Sequence, residues 1–260
     1  MTMNSNVLNT ACTWAMKAYN KKNKNAIKIE GGWTGAAAYF AKRQNMDILA
    51  FRGTEKDIND IIADITAIPV PYAGRVCHAG FVIQHASVWK EILTHIDFNK
   101  PLLICGHSLG GALAEISAAK LDKKHSNVSL VTFGKPNTFL KGFKKPMELD
   151  NQISCVNGSD AVARVPRILY GPSSSQTLLY FGNSGEDHIN PSVEVKKKDR
   201  GGLMDRLADH SMSCYRDRLK AFIKGQSKSN YEAVLTDEER RELEKIADEI
   251  EREASNSCGS

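Results

Sequence analysis

Apolar residues recur along the chain with two alternating periods. Val7, Leu8, Ala11, Ala15 and Tyr19 share one face of a 3.6-residue repeat, which predicts an amphipathic helix near the start. "AIKIE" and "AAAYFAKRQNMDILAF" then read as strands, with a turn near Gln44-Asn45. "DINDIIADI" returns to helical spacing through Ile58, Ile61, Ile62 and Ile65, and Pro69 and Pro71 stop it. "CHAGFVIQHASVWKEILTHI" opens with a short extended piece and continues as a helix using Val82, Ala86, Trp89, Ile92 and Leu93. Leu102-Leu103-Ile104-Cys105 is an unbroken apolar run, as expected of a strand buried on both faces. The small-residue stretch from Gly111 to Leu121 suits a helix packed closely on that strand. "VSLVTFG", "QISCVNG" and a hairpin around "LLYFGNSGE" supply further strands, and a helix from Leu207 through Ile223 closes the body. Strands alternating with helices predict an α/β architecture with a mostly parallel sheet flanked by helices.

The end of the chain differs. "KGQSKSN" has the composition of a linker, which separates a body of residues 1–225 from a segment of 226–260. That segment begins with a capping pattern at Thr236 and Glu239, and a narrow stripe of Leu235, Leu243, Ile246 and Ile250 predicts an acidic helix. The stripe suits docking on the body or pairing with a second copy as a homodimer; a mobile acidic tail is the alternative. Residues 231–260 carry a net charge of −6, which leaves +11 on the rest of the chain. Such a body suits transient contact with an anionic lipid surface, or is equally a solvated surface balanced by its own tail. No basic run interleaved with aromatics speaks for nucleic acid. The first residues lack a basic leader with an apolar core, and no stretch reaches the roughly 18 apolar residues of a membrane span. The six cysteines form no CxxC pair, so neither disulfides nor a metal centre is expected, and the setting predicted is cytoplasmic.

The chemistry concentrates at Gly106-His107-Ser108-Leu109-Gly110, between the apolar strand and the small-residue helix. A serine on a sharp strand-to-helix turn lifts its hydroxyl clear of the sheet, and side chains on its flanks would crowd neighbouring backbone. The helix that follows aims free N–H groups and its positive dipole end beside that hydroxyl, which suits a developing oxyanion. A serine nucleophile needs a base, and the base needs an anionic orienter. Three histidines lie downstream. His125 reads as a surface cap, and His188 sits in the loop-like "GEDHINP" and stays open as an alternative. His210 opens the last large helix, where a loop-borne base belongs. Asp160 directly follows the strand "QISCVNGS", whereas Asp150 and Asp187 read as solvated loop charges. Spacing favours Asp160 and His210.

Six segments occur in the order seen in the class 3, fungal-type lipases: "FRGT" (51–54), "HAGF" (78–81), "GHSLGGALA" (106–114), "TFGKP" (132–136), "DAVARVP" (160–166) and "DHSMSCY" (209–215). The chain resembles that family over roughly residues 45–220. The resemblance implies an α/β-hydrolase fold, with Ser108 as nucleophile, Asp160 as orienting acid and His210 as base. It also implies that Thr54 and Leu109 donate backbone N–H groups to the oxyanion, and that the helix at about 55–68 is a lid. Ala163 stands where the family usually has proline, Ile61 where its lid often has an aromatic, and Asn137 with "TFLKGFKKP" where arginine and glycine often follow "TFG-x-P". These departures bear on the acyl pocket and leave the three reacting positions filled. The expectation is a lipase or carboxylic ester hydrolase acting on lipid acyl esters without metal or organic cofactor. A phospholipase, a small-ester esterase or a lipase-like binding protein are the alternatives.

Overall fold

A computed structural model describes residues 4–54, 68–142, 146–158, 160–166, 169–171, 176–183, 185–199 and 209–226. The expected lid helix and the acidic C-terminal segment lie outside the described residues, from 55 to 67 and from 227 to 260. The first helix, α1 (Ser5–Lys17), starts where the Asn4 side chain accepts from the amides of Asn6 and Val7. Strands β1 (Ile27–Glu30), β2 (Ala37–Ala41) and β3 (Asp47–Phe51) follow as an antiparallel meander. A hairpin of β4 (Pro69–Tyr72) and β5 (Arg75–His78) leads into α2 (Ala79–His95). Next come β6 (Leu102–His107), α3 (Leu109–Leu121), β7 (Val128–Phe133), β8 (Phe139–Leu140) and β9 (Asn151–Asn157). β10 (Tyr170–Gly171), β11 (Thr177–Phe181) and β12 (Asp187–Ile189) precede α4 (Val193–Lys198) and α5 (Met212–Gln226).

The main sheet has the order β1-β2-β3-β6-β7-β9-β11-β12. Its five inner strands, β3, β6, β7, β9 and β11, are parallel, and antiparallel partners flank them on both sides. This is the mostly parallel sheet that the buried apolar runs predict. Alternate residues of β6 serve opposite cores. Leu103 and Cys105 join Leu8, Trp14, Phe133, Leu219 and Ile223 on the side of α1 and α5. Leu102 and Ile104 join Phe51, Val88, Ile92, Leu113 and Ile116 on the side of α2 and α3. Burial on both faces is why these strands show no polar alternation.

Two features differ from the pattern-based expectation. A second, antiparallel sheet of order β10-β8-β5-β4 covers part of the molecule. Its strands are two to four residues long, too short to leave a periodic signal, and the prolines of β4 fit because that strand lies at the sheet edge. The buried stripe of α2 is also rotated by about one residue, to Phe81, His85, Val88 and Ile92, while Ala86 and Leu93 are exposed. A histidine on the core face hid the true register. His85 is fully buried, with Nε2 3.0 Å from Ser117 Oγ and Nδ1 3.2 Å from the Tyr72 hydroxyl. Because Ser117 donates to the Leu113 carbonyl, it accepts from His85 Nε2, and Tyr72 donates to Nδ1.

α3 is buried along nearly its whole length and packs on β6 and β7 through Gly110, Gly111, Ala112 and Ala114. A buried ion pair fixes it to the loop after β7, with Lys135 Nζ 3.1 Å from Glu115 Oε2 and both side chains almost fully enclosed. Removing one partner strands the other charge in a dry interior. Lys135→Ala is therefore expected to lower the unfolding free energy by about 3–5 kcal/mol. The Glu115→Leu/Lys135→Met pair should stay within about 1–2 kcal/mol of the native protein. Urea unfolding of the three proteins checks both values.

Candidate active site

Gly106 and Gly110 let three backbones meet. A Cβ on Gly106 would collide with the Gly110 carbonyl, and one on Gly110 with the Phe51 carbonyl at the end of β3. Ser108, held between them, adopts φ 56° and ψ −131°, a region that L-residues rarely occupy. Its amide donates to the Phe133 carbonyl at 2.9 Å. The side chain makes no capping bond to α3, so its hydroxyl is left for another partner.

That partner is His210. Its Nε2 lies 2.8 Å from Ser108 Oγ, and its Nδ1 lies 2.9 Å from Asp160 Oδ2. All three residues are at most 4% exposed. Asp160 is reached from several sides. The Tyr215 hydroxyl donates to Oδ2 at 2.5 Å, and the amides of Val162 and Ala163 donate to Oδ1 at 2.8 and 3.3 Å. A carboxylate with this many donors is satisfied in the interior and has one orientation toward the imidazole. Burial first, and then Asp160, pushes the Tyr215 phenol well above its ordinary range, so it acts as a donor. Chemically, a serine hydroxyl in contact with an imidazole that a buried carboxylate orients can pass its proton and act as a nucleophile.

His210 is held by its backbone as well. His107 Nε2 lies 2.7 Å from the His210 carbonyl, and its Nδ1 lies 2.7 Å from the Tyr19 hydroxyl. A carbonyl only accepts, so Nε2 carries the proton and Tyr19 donates to Nδ1. The His107 ring also rests 4.7 Å from the His210 ring. His107 is thus a neighbour of the site, as its position one residue before the serine implied. Asn157 Nδ2 donates to the Asp209 carbonyl at 2.6 Å and pins the same loop.

Thr54 follows Gly53, whose missing side chain lets the backbone come close to the His107 carbonyl and the Tyr19 hydroxyl. Leu109 is the first residue of α3, where amides lack carbonyl partners within the helix. Other titratable candidates fall elsewhere. His188 is on edge strand β12, 4.0 Å from Glu186, and Asp150 is exposed. His125, expected as a surface cap, is only 3% exposed beside Phe98 with Nδ1 accepting from the Asn127 amide. His78 caps α2 through the Gly80 amide and stacks on Phe81. Sequence reasoning missed Tyr215, Asn157 and Tyr19. The one available signal was Tyr215, a tyrosine on the apolar face of the helix that follows His210.

A mostly parallel sheet that brings the Ser108 turn and the loops of Asp160 and His210 together in this way has the α/β-hydrolase fold. The shape supports the assignment: the protein superposes on Rhizomucor miehei triacylglyceride lipase with a TM-score of 0.62, at 19% identity, over 81% of this chain and 94% of that one. Residues 48–170, just under half of the chain, match the lipase (class 3) family. A secreted mono- and diacylglycerol lipase of Fusarium solani is 30% identical over 138 residues, 47% of this chain. A Rhizomucor miehei lipase is 35% identical over 102 residues, 34% of this chain. The chain spans 40% and 28% of the length of these two relatives.

The cytoplasmic setting expected from the sequence is overturned by these relatives, the first of which is secreted by name. The free cysteines misled because Cys12, Cys105 and Cys155 are buried as small apolar residues between sheet and helices. A core of this size needs no disulfide, so unpaired thiols carry no message about compartment. No helix among the described residues is long and apolar enough to cross a membrane.

Burial pushes both His85 and His107 down to about 3, so each stays neutral in the native state. In the unfolded chain a histidine takes up its proton near pH 6.5. Native stability is therefore expected to be full above about pH 6.5. It should fall by about 1.4 kcal/mol per pH unit for each of these histidines as the pH drops towards 3. Urea midpoints across that range measure the slope, which His85→Gln should reduce.

Proposed function

We propose that this protein is a serine carboxylic ester hydrolase acting on acyl esters of glycerolipids. The contact of Ser108 Oγ with a histidine oriented by buried Asp160, on a serine held at positive φ, carries this reading. Ser108 Oγ attacks the ester carbonyl carbon as His210 Nε2 takes its proton. Asp160 steadies the imidazolium, and the N–H groups of Thr54 and Leu109 take the tetrahedral oxyanion. Collapse breaks the ester C–O bond, the leaving alcohol takes the proton from His210, and the acyl group stays on Ser108. His210 then deprotonates water, which releases the carboxylic acid and restores the serine. The steps use no metal ion or organic cofactor.

The names of the relatives support glycerolipid substrates. The +11 charge of residues 1–230 favours phospholipid as the second reading. Contact with the lipid surface falls to the side of α2, where Trp33 is 89% exposed and Ile68 and Ile83 also project. The Thr34–Ser87 hydrogen bond and the Ala79 amide on the Ile68 carbonyl hold these residues along one helix. The segment 226–260 adds self-association through its Leu235, Leu243, Ile246 and Ile250 stripe to a hydrolase unit of residues 1–225.

Ser108→Ala is expected to lower hydrolysis of paired short-chain and long-chain esters by about four to six orders of magnitude. Full activity in that variant overturns the mechanism, and the ratio among short ester, glyceride and phospholipid sorts the substrate readings. Trp33→Ala should slow hydrolysis of emulsified long-chain ester several-fold and leave a soluble short-chain ester unchanged. Comparing the solution mass of the full chain with that of residues 1–226 tests the dimer.

A further inference from the structure

A cavity of about 480 Å³ that neither Ser108 nor His210 lines opens on the other face of β9 and β11 from α1 and α5. Its size is within the range of small-molecule sites. Val156, Leu178 and Tyr180 form an apolar wall, and exposed Val193 extends it to the mouth. Lys141, Arg164, Lys196 and Lys197 surround it, and no carboxylate is among the described lining residues. Lys135 also lines it but is neutralised by Glu115. The acidic group closest in chain to the rim, Asp199, accepts from the Asn183 amide at 2.8 and 3.0 Å and also bears on the Tyr180 hydroxyl of the wall, so it offsets part of the positive charge there.

Two buried polar atoms of this lining have no hydrogen-bond partner among the described residues, the Tyr170 hydroxyl and Gln176 Oε1. Tyr170 is fully enclosed, and burial pushes its phenol up, so it carries a proton to donate. Leaving such a donor unmet is costly, and an acceptor entering the cavity removes that cost. Tyr180 needs no such partner, because its hydroxyl lies 3.2 Å from the Gly158 carbonyl and also interacts with Asp199 and Arg164.

We propose that this cavity is a binding site for an amphipathic carboxylate, a fatty acid anion. Its chain lies against Val156, Leu178 and Tyr180, and its carboxylate accepts from Tyr170 and faces the lysines of the mouth. One wall, Ala163 and Arg164, continues the loop whose amides hold Asp160. The site is separate from ester hydrolysis, and its binding is read without turnover.

The experiment is calorimetric titration of the full chain with laurate below its micellar concentration, with dodecanol and acetate as controls. The proteins are the native form, Lys196→Glu/Lys197→Glu and Tyr170→Phe. Laurate is expected to bind the native protein, with roughly tenfold weaker binding after the lysine reversal and a smaller loss for Tyr170→Phe. Dodecanol and acetate should both bind more weakly than laurate. Hydrolysis of a soluble short-chain ester, assayed without laurate, should be unchanged in the lysine variant. Equal laurate affinity in all three proteins, or laurate binding that only competes with the short ester at Ser108, overturns the site. Dodecanol binding as tightly as laurate overturns the carboxylate. Loss of short-ester hydrolysis in Ser108→Ala is a separate result, so the failure of either reading shows on its own.

Discussion

The close approach of three backbones at Gly106 and Gly110 is the constraint on which the site depends. The end of β3, the end of β6 and the first turn of α3 come so near that either glycine would clash with a carbonyl if it bore a side chain. The chain between them has too little room for an ordinary turn, and Ser108 absorbs the difference as a positive φ. Parallel pairing of β3, β6 and β7 over-determines this geometry, which is how a strained residue persists in a stable fold. The small residues of α3 complete the arrangement by letting the helix settle onto the sheet with its N-terminus beside the serine.

Around that turn a polar scaffold does what packing alone does not. Asp160 is oriented by two amides and by Tyr215, and His210 is oriented by Asp160 through its ring and by His107 through its carbonyl. His107 is in turn fixed by Tyr19. Each member donates to or accepts from a partner that is itself anchored, so the ring that touches Ser108 has little freedom to turn. Such a network is worth having in a dry interior only when every member is satisfied.

Much of this was legible in the chain. Unbroken apolar runs gave away the doubly covered strands, and glycines around a serine between strand and helix gave away the turn. Asp160 and His210 were recognisable because each sits where a strand or helix meets a loop, and these are the two residues that the structure brings to Ser108. The unread parts share a physical cause. The small sheet has strands too short for a period, and the register of α2 was disguised by His85, a polar residue buried through two hydrogen bonds. Tyr19 and Asn157 act on residues about 50 to 90 positions away, and separations of that kind leave no local pattern. The thiols spoke of packing, not of compartment.

The tie from Tyr19 through His107 to His210 joins the segment just after α1 to the one just before α5. The ring beside Ser108 comes from a residue 102 positions further along the chain. During translation the serine turn is made before the imidazole that contacts it. Closing a loop of that length carries an entropic cost that the local contacts of the turn do not. Until the segment that carries His210 has been made and has docked, the strained turn at Ser108 has no imidazole beside it.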